Sequence, residues 1–119
     1  MKTGLTEAVV EQIAIELFQE LGYAHRFGPD IAPGMPGAER EGFSDCHLPG
    51  RLMAALAALN PALPSEALEE AAKKLTWTET PSLIGQNHYV HRILVDGIAV
   101  QYRREGRIVH DTARVIDFD

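Results

Sequence analysis

A change to a two-residue hydrophobic period at Tyr89 constrains the fold of this chain more than any other feature of its sequence. Over residues 89–95 the side chains alternate in the way that a half-buried strand favours. Asp96-Gly97 then provides the residue types of a tight hairpin turn, and residues 98–102 resume the strand-forming composition. The pattern predicts two antiparallel strands joined at Asp96-Gly97.

The strand-forming pattern continues to the end of the sequence. Glu105-Gly106 indicates another turn, and residues 113–118 have the composition of a further strand. We therefore expect an antiparallel β-meander over residues 88–119. A strand that ends without a turn or tail is unusual at a natural terminus, so we expect the sequence to be part of a longer chain.

The N-terminal residues 1–22 are predicted to form the first helix. Thr6 has the side chain of an N-cap, and Gly22 is a typical helix stop. At about 100° per residue, Glu7 falls within the apolar arc and Glu11 at its edge. The apolar arc that we expect to be buried consists of Val10, Ile13, Ala14, Leu17, Phe18 and Leu21.

A loop and a helical pair separate the first helix from the meander. Residues 23–50 are rich in Gly and Pro, which predicts a long irregular connection. Residues 51–76 hold two helix-forming runs, the second with Ser65 as its predicted cap and ending near Leu75. The whole chain is therefore predicted to be one partial α+β domain.

Composition narrows the cellular setting and the partners. A single Cys makes no internal disulfide, which favours a reducing compartment and hence the cytoplasm. No apolar run is long enough to cross a bilayer, so we expect no membrane partner. The formal net charge of −6 disfavours general polyanion binding, so any contact with nucleic acid must be local or be helped by chain outside this sequence.

Few side chains have the spacing of a metal or catalytic site. The sequence has no phosphate loop, dinucleotide fingerprint, nucleophile elbow or zinc-protease motif. Cys46-His47 are adjacent, and His88 and His91 are expected to point to opposite faces of a strand. His25 and His110 are isolated and have the character of surface histidines.

Two groups of charged residues have both an ordinary and a functional interpretation. Glu7 and Glu11 are typical of a helix start, which the macrodipole stabilises, but one of them can also help to hold Mg²⁺. Arg103, Arg104 and Arg107 are typical of a solvated turn, but they can also contact phosphate.

Several strings, taken in their order and spacing, carry a resemblance to a known family. They are Thr6 to Glu11 with Leu21-Gly22-Tyr23, Arg51-Leu52 with Ala55-Leu56, Leu59 to Pro64, Ala67-Leu68-Glu69, Ser82-Leu83 with Asn87, Leu94 to Arg103, and Val115 to Asp119. On these strings the sequence resembles the N-terminal region of the R subunit (HsdR) of type I restriction enzymes. The resemblance spans nearly the whole chain.

This resemblance implies a fold and an activity. The fold would be the start of a restriction-endonuclease-like nuclease domain of the PD-(D/E)xK type, with residues 51–76 as a helical insertion. In that family the subunit also carries an ATP-dependent DNA translocase, and it assembles with methyltransferase (M) and specificity (S) subunits to cut unmodified double-stranded DNA. Cleavage there uses Mg²⁺ held by an Asp and a Glu-x-Lys.

The catalytic Asp and Glu-x-Lys of the family lie beyond the part that resembles Val115 to Asp119. No lysine of this sequence has an acidic residue two positions before it, so we expect the chain alone not to cut DNA. Of the residues that face the metal in this family, the resemblance implies that only a carboxylate of the first helix lies in this chain. Glu11 is the first candidate for it and Glu7 is the second. Arg103, Arg104 and Arg107 remain weak candidates for DNA contact.

Two other functions remain open on the sequence. One is a non-catalytic docking module whose helical pair and loop bind a protein partner without metal. The other is a free-standing metal-dependent hydrolase, which requires Asp45, Asp117, Asp119 or the histidines to converge.

Overall fold

A computed structural model describes residues 4–78 and 81–119 of the 119-residue chain. These residues form two compact units, one up to residue 43 and one from residue 44 onward. Within the described ranges, four α-helices and a two-stranded antiparallel sheet make the architecture α+β, as predicted. The assignment of the whole chain to one partial domain stays a prediction.

The secondary-structure elements follow one another with short connections in the second unit. The first unit holds helix α1 (Glu7–Glu20) and a short 3-10 helix (Gly28–Ile31). The second unit holds α2 (Pro49–Leu59), α3 (Ser65–Leu75), α4 (Leu83–Asp96), β1 (Ile98–Arg104) and β2 (Arg107–Ala113). None of these helices combines the length and the apolar character that crossing a membrane requires.

The first helix begins and ends where its sequence predicts. The Oγ1 atom of Thr6 accepts a hydrogen bond from the backbone N–H of Val9, at 3.3 Å, and Gly22 follows the helix with φ at 95°. The predicted burial of its apolar arc is wrong, since no residue of α1 is buried and Leu17 is 55% exposed. Periodicity identifies the apolar side of a helix, but it does not show that another element covers that side.

The helical pair of the second unit is confirmed, with one difference in capping. Ser65 is the first helical residue rather than the cap, and Pro64 occupies the N-cap position without a side-chain hydrogen bond. Helices α2 and α3 pack together through small and branched residues. The fully or nearly buried members of this contact are Leu56, Ala67, Leu68 and Ala71.

The predicted strand over residues 89–95 is wrong, because this segment belongs to helix α4. The Oγ atom of Ser82 caps the helix by accepting from the backbone N–H of Gly85, at 3.0 Å. Gly97, with φ at 81°, ends the helix instead of turning a hairpin. Tyr89 and Ile93 both face the core, and their spacing of four residues satisfies a helical period as well as an alternating one.

One hairpin stands in place of the predicted meander over 88–119. Its turn is Glu105-Gly106, as predicted, and both residues have positive φ (52° and 76°), which matches a two-residue turn between twisted strands. The predicted strand at 113–118 is wrong, because β2 ends at Ala113. Residues 114–119 continue without a strand partner among the described residues.

The core of the second unit lies between α2 and α3, α4, and one face of the hairpin. Residues of β1 alternate between buried and exposed, so that Ile98, Val100 and Tyr102 face inward. Ala113 of β2 lies opposite Ile98 and completes this face. The core is small and depends on a few tightly packed positions.

Candidate functional site

The two candidate carboxylates of the first helix lie one turn apart on α1, and both are exposed. Neither Glu7 nor Glu11 has a hydrogen-bond or ion-pair partner among the described residues. Mg²⁺ requires near-octahedral oxygen coordination, usually from one or two carboxylates together with waters and substrate phosphates. Within residues 4–78 and 81–119 no three His, Cys, Asp or Glu side chains are grouped to hold a metal ion. Among the described residues, Glu7 and Glu11 would therefore form at most part of a Mg²⁺ site.

The three candidate arginines lie at the tip of the hairpin, but they do not share one face. The strand register places Arg104 directly opposite Arg107 and places Arg103 opposite Ile108. Because successive strand residues point to opposite faces, Arg103 lies on the side away from the other two. The guanidinium of Arg104 lies over the ring of Tyr102, 5.6 Å from its centroid. None of the three arginines pairs with a carboxylate in the described part of the chain.

The arrangement of Arg104 and Arg107 carries an electrostatic cost. Like charges at directly opposite positions of two strands are destabilising, and no acidic side chain in the described part of the chain pairs with either arginine. A phosphate oxygen placed near the pair would relieve this repulsion through charge-assisted hydrogen bonds. The tip thus has the charge and the exposure to contact an anion from solvent.

The histidines and the remaining acidic candidates do not converge among the described residues. His88 and His91 lie on α4, so they project to one side of a helix rather than to opposite faces of a strand. Asp117 and Asp119 lie beyond β2, which ends at Ala113. Asp119 pairs with Arg114 at 3.7 Å. The convergence that a free-standing hydrolase requires is not found in this part of the chain.

A contact between α3 and the outer edge of β1 has no counterpart in the sequence analysis. The ammonium of Lys74 donates to the backbone carbonyl of Ala99 at 2.6 Å and pairs with the carboxylate of Glu70 at 3.1 Å. The other oxygen of Glu70 accepts from the backbone N–H of Gln101, at 3.1 Å. The two side chains thus occupy backbone groups of β1 that another strand otherwise uses.

This contact shifts the titration of Glu70. The hydrogen bond from the Gln101 backbone, aided by the hydrogen bond and charge of Lys74, holds the pKa of Glu70 below its ordinary value, although burial opposes the shift. A carboxylate that accepts such hydrogen bonds is stabilised in its charged form. The spacing of four residues between Glu70 and Lys74 is the sequence signal for the ion pair, but nothing in the sequence indicates its strand partner.

The second unit also contains a surface cleft of about 500 Å³ between α3, α4 and β1. Its apolar floor includes Ile93 and Ile98, and the rings of Trp77 and Tyr89 form an edge-to-face pair with centroids 5.0 Å apart. Lys73 lies at its margin. The lining residues are Lys73, Lys74, Trp77, Tyr89, Ile93, Ile98 and Ala99.

This cleft could not be expected from the sequence while residues 89–95 were assigned to a strand. When the same residues are assigned to a helix, Tyr89 and Ile93 lie on one side of it, and Tyr89 contacts the C-terminal end of α3. The capping Ser82 and the helix-ending Gly97 were the signals for that reading.

Comparison with known proteins gives one sequence family and two curated relatives. Residues 4–119 match the family described as the type I restriction enzyme R protein N terminus. The type I restriction enzyme HindI endonuclease subunit of Haemophilus influenzae is 29% identical over 115 residues, which cover 97% of this chain and 11% of that protein.

The putative type I restriction enzyme MjaIXP endonuclease subunit of Methanocaldococcus jannaschii is 27% identical over 111 residues, covering 93% of this chain and 10% of that protein. The chain thus spans about a tenth of the length of these relatives. No solved structure matches it significantly.

Proposed function

Because the chain belongs to the family of type I restriction enzyme R protein N termini, we propose that it is the opening part of the restriction subunit of a type I restriction–modification system. The family match across residues 4–119 carries this proposal. The intact subunit would cleave unmodified foreign double-stranded DNA, with translocation driven by ATP. Both relatives are named as endonuclease subunits, which supports this assignment.

The fold proposed for the intact region is a nuclease domain of the restriction-endonuclease type. The first helix, the helical pair and a hairpin support this proposal, although helix α4 lies between the pair and the hairpin where a strand was expected. The main catalytic Asp and Glu-x-Lys would lie in chain that follows these residues. The 119 residues alone would then be inactive, since their lysines lack an acidic residue two positions earlier.

Glu11 is the proposed metal-facing carboxylate of this part, with Glu7 as the second candidate. Mg²⁺ would supply charge stabilisation at the scissile phosphate of the intact nuclease. Both glutamates are exposed, and their side chains have no partner among the described residues. They are therefore available to complete a Mg²⁺ site together with ligands from elsewhere. ATP would bind a motor region outside this chain, because these 119 residues contain no phosphate-loop motif.

Double-stranded DNA and the M and S subunits are the proposed partners, in the cytoplasm. The hairpin tip would contact the DNA backbone through Arg104 and Arg107 on one face and Arg103 on the other. Such contacts neutralise phosphate without reading sequence, because they lie on the backbone rather than on base edges. Target recognition would belong to another subunit.

A plasmid-cleavage assay tests the proposal. The purified 119-residue chain is incubated with unmodified plasmid and Mg²⁺, and in parallel the full product of the gene is incubated with its M and S subunits and ATP. We expect no nicking by the chain and ATP-dependent cleavage by the complex. Metal-dependent nicking by the chain alone would contradict the placement of the catalytic groups, and an inactive complex would contradict the assignment of the subunit.

A further inference from the structure

Hydrogen bonds join α3 and the residues that follow it to α4, and α3 to β1, around the cleft. The hydroxyl of Tyr89 donates to the backbone carbonyl of Lys74 at 2.6 Å, which joins α4 to α3. The amide of Gln86 donates to the carbonyl of Trp77 at 2.6 Å. Lys74 then joins α3 to β1 through the carbonyl of Ala99. A cleft fixed in this way requires little rearrangement to accept a ligand.

Most polar groups that line the cleft already have partners. The backbone carbonyls of Lys74, Trp77 and Ala99 each accept one of the hydrogen bonds just described. The side-chain groups that donate these bonds are engaged by them as well. The floor of Ile93 and Ile98 is apolar. An occupant therefore gains most by inserting an apolar group, since a polar one would lose water without compensation.

Two donors at the cleft lack a partner among the described residues, and both favour an acceptor. They are the ammonium of Lys73 and the indole N–H of Trp77. A carboxylate beside the apolar group would satisfy them. A nucleic acid fits less well, because the chain carries a net charge of −6 and three of the lining carbonyls, those of Lys74, Trp77 and Ala99, already accept hydrogen bonds from the protein.

The exposure of the cleft indicates a macromolecular occupant. Trp77 is 40% exposed, so the walls do not enclose a small molecule on all sides. A volume of about 500 Å³ holds an apolar side chain while the rest of a partner chain remains outside. Interface anchors are commonly apolar side chains that fill such preformed clefts.

We propose that this cleft binds an apolar side chain of a partner protein, flanked by a carboxylate that pairs with Lys73. Such binding is the protein-docking role that remained open on the sequence, and it does not depend on whether the nuclease proposal is correct. The partner is defined by this chemistry, a leucine-like side chain next to an acidic residue in an extended or helical segment.

Trp77 is the single tryptophan of the sequence, and its indole N–H signal in a ¹H–¹⁵N NMR spectrum reports directly on the cleft. The probes are three blocked tetrapeptides, acetyl-Gly-Leu-Glu-Gly-amide and its analogues with Lys in place of Glu and with Ala in place of Leu. We expect a saturable shift with the Leu-Glu peptide at millimolar concentration. Both analogues should bind at least about tenfold more weakly.

Charge reversal at the margin identifies the carboxylate contact. Lys73→Glu should weaken binding of the Leu-Glu peptide about tenfold and improve binding of the Leu-Lys peptide. Arg92→Glu is the matched control, because it changes the same charge at an exposed position of α4 outside the cleft lining. It should leave both affinities unchanged. An unaltered pattern of the remaining amide signals shows that each variant is folded.

Three results with the peptides and variants would overturn the proposal. They are the absence of a saturable Trp77 shift with the Leu-Glu peptide, equal affinities for all three peptides, and equal effects of the two charge reversals. Tighter binding of thymidine 5′-monophosphate than of the Leu-Glu peptide would likewise overturn it in favour of a nucleotide site. None of these outcomes depends on whether the intact subunit cleaves DNA.

Discussion

The side chain of Asn60 holds the backbone of Arg114, 54 residues later in the sequence, through a pair of hydrogen bonds. Its Oδ1 atom accepts from the Arg114 N–H at 2.7 Å, and its Nδ2 atom donates to the Arg114 carbonyl at 2.9 Å. The same Nδ2 atom also donates to the carbonyl of Leu56, at 2.9 Å. Asn60 is only 7% exposed, so this bridge fixes the chain as it leaves β2 against the end of α2.

Replacing Asn60 is therefore expected to destabilise the second unit. Asn60→Ala leaves the N–H and the carbonyl of Arg114 without their Asn60 partners in a partly buried place, at a cost of about 1–3 kcal/mol, while the carbonyl of Leu56 keeps the backbone N–H of residue 60 as a donor. Asn87→Ala, at an exposed position of α4, should change the unfolding free energy by less than about 0.5 kcal/mol. Urea unfolding followed by circular dichroism measures both. Equal losses would show that the bridge contributes little.

Gly97 connects α4 to β1 in a conformation and a space that exclude a side chain. Its φ is 81°, and a Cβ atom there would lie 2.6 Å from Cγ2 of Thr112 and 2.8 Å from the carbonyl oxygen of Ala113. Gly97→Ala should lower the unfolding free energy by more than about 2 kcal/mol, because strain and steric overlap add.

Gly50 is the matched control for Gly97. It lies in α2, and an added Cβ meets no atom within 4 Å. Gly50→Ala should be neutral or stabilising by up to about 1 kcal/mol, since alanine favours the helix. Thermal unfolding of the two variants measures the contrast, and a tolerated Gly97→Ala would contradict the described end of α4.

The contact of Glu70 with Lys74 and the β1 backbone predicts a pH-dependent stability. Because the pKa of Glu70 is lowered in the folded state, its contribution is present above its ordinary pKa and is lost as pH falls through the lowered value. Glu70→Gln should thus destabilise the chain at neutral pH and approach the parent as the solution is acidified. Urea unfolding between neutral and acidic pH tests this. The exposed Glu69→Gln serves as the control, and a pH-independent Glu70→Gln effect would argue against the contact.

The opposed arginines of the hairpin predict opposite effects on stability and DNA binding. Arg107→Thr removes the like charge facing Arg104 and places a β-branched residue in β2, so the chain should gain up to about 1 kcal/mol in unfolding free energy. In the full subunit, the same change should lower DNA affinity and reduce the slope of its salt dependence by about 1. Arg92→Thr is the control for both measurements. Unchanged DNA affinity would remove Arg107 from the DNA interface.

If Glu11 helps to hold Mg²⁺, its replacement should change the Mg²⁺ dependence of DNA cleavage by the intact subunit. Glu11→Gln should reduce DNA cleavage most strongly at limiting Mg²⁺, with partial recovery at higher Mg²⁺, because a lost ligand weakens metal affinity. Glu20→Gln changes the same charge at an exposed position at the other end of α1. It should leave the Mg²⁺ dependence as in the parent. Identical Mg²⁺ titrations for the parent and Glu11→Gln would exclude Glu11 from the metal site.

Local signals in the sequence predict those elements whose ends carry distinctive residues. Thr6 and Gly22 delimit the first helix correctly, and Glu105-Gly106 forms the turn of the hairpin. The alternation over residues 89–95 misled, because Tyr89 and Ile93 fit two periods and only tertiary packing selects between them. The N-cap residue Ser82 favours helix α4, but a single capping residue is weaker evidence than the hydrophobic alternation over residues 89–95.

Contacts between distant parts of the chain lie beyond what the sequence alone can predict. The hydrogen bonds of Asn60 with Arg114 and of Lys74 with Ala99 join side chains to backbone atoms, which any residue at the partner position provides. The faces of the arginines likewise depend on strand register, which the turn at Glu105-Gly106 fixes. Residue types therefore indicate candidate charges, while their grouping follows from the fold.

Determining the natural gene sequence beyond the codon for Asp119 tests the central claim most directly. The account predicts an open reading frame that continues into an Asp, a Glu-x-Lys and then a phosphate-loop motif, as the restriction subunit requires. A stop codon directly after Asp119 would contradict it, because the nuclease would then lack its main catalytic residues.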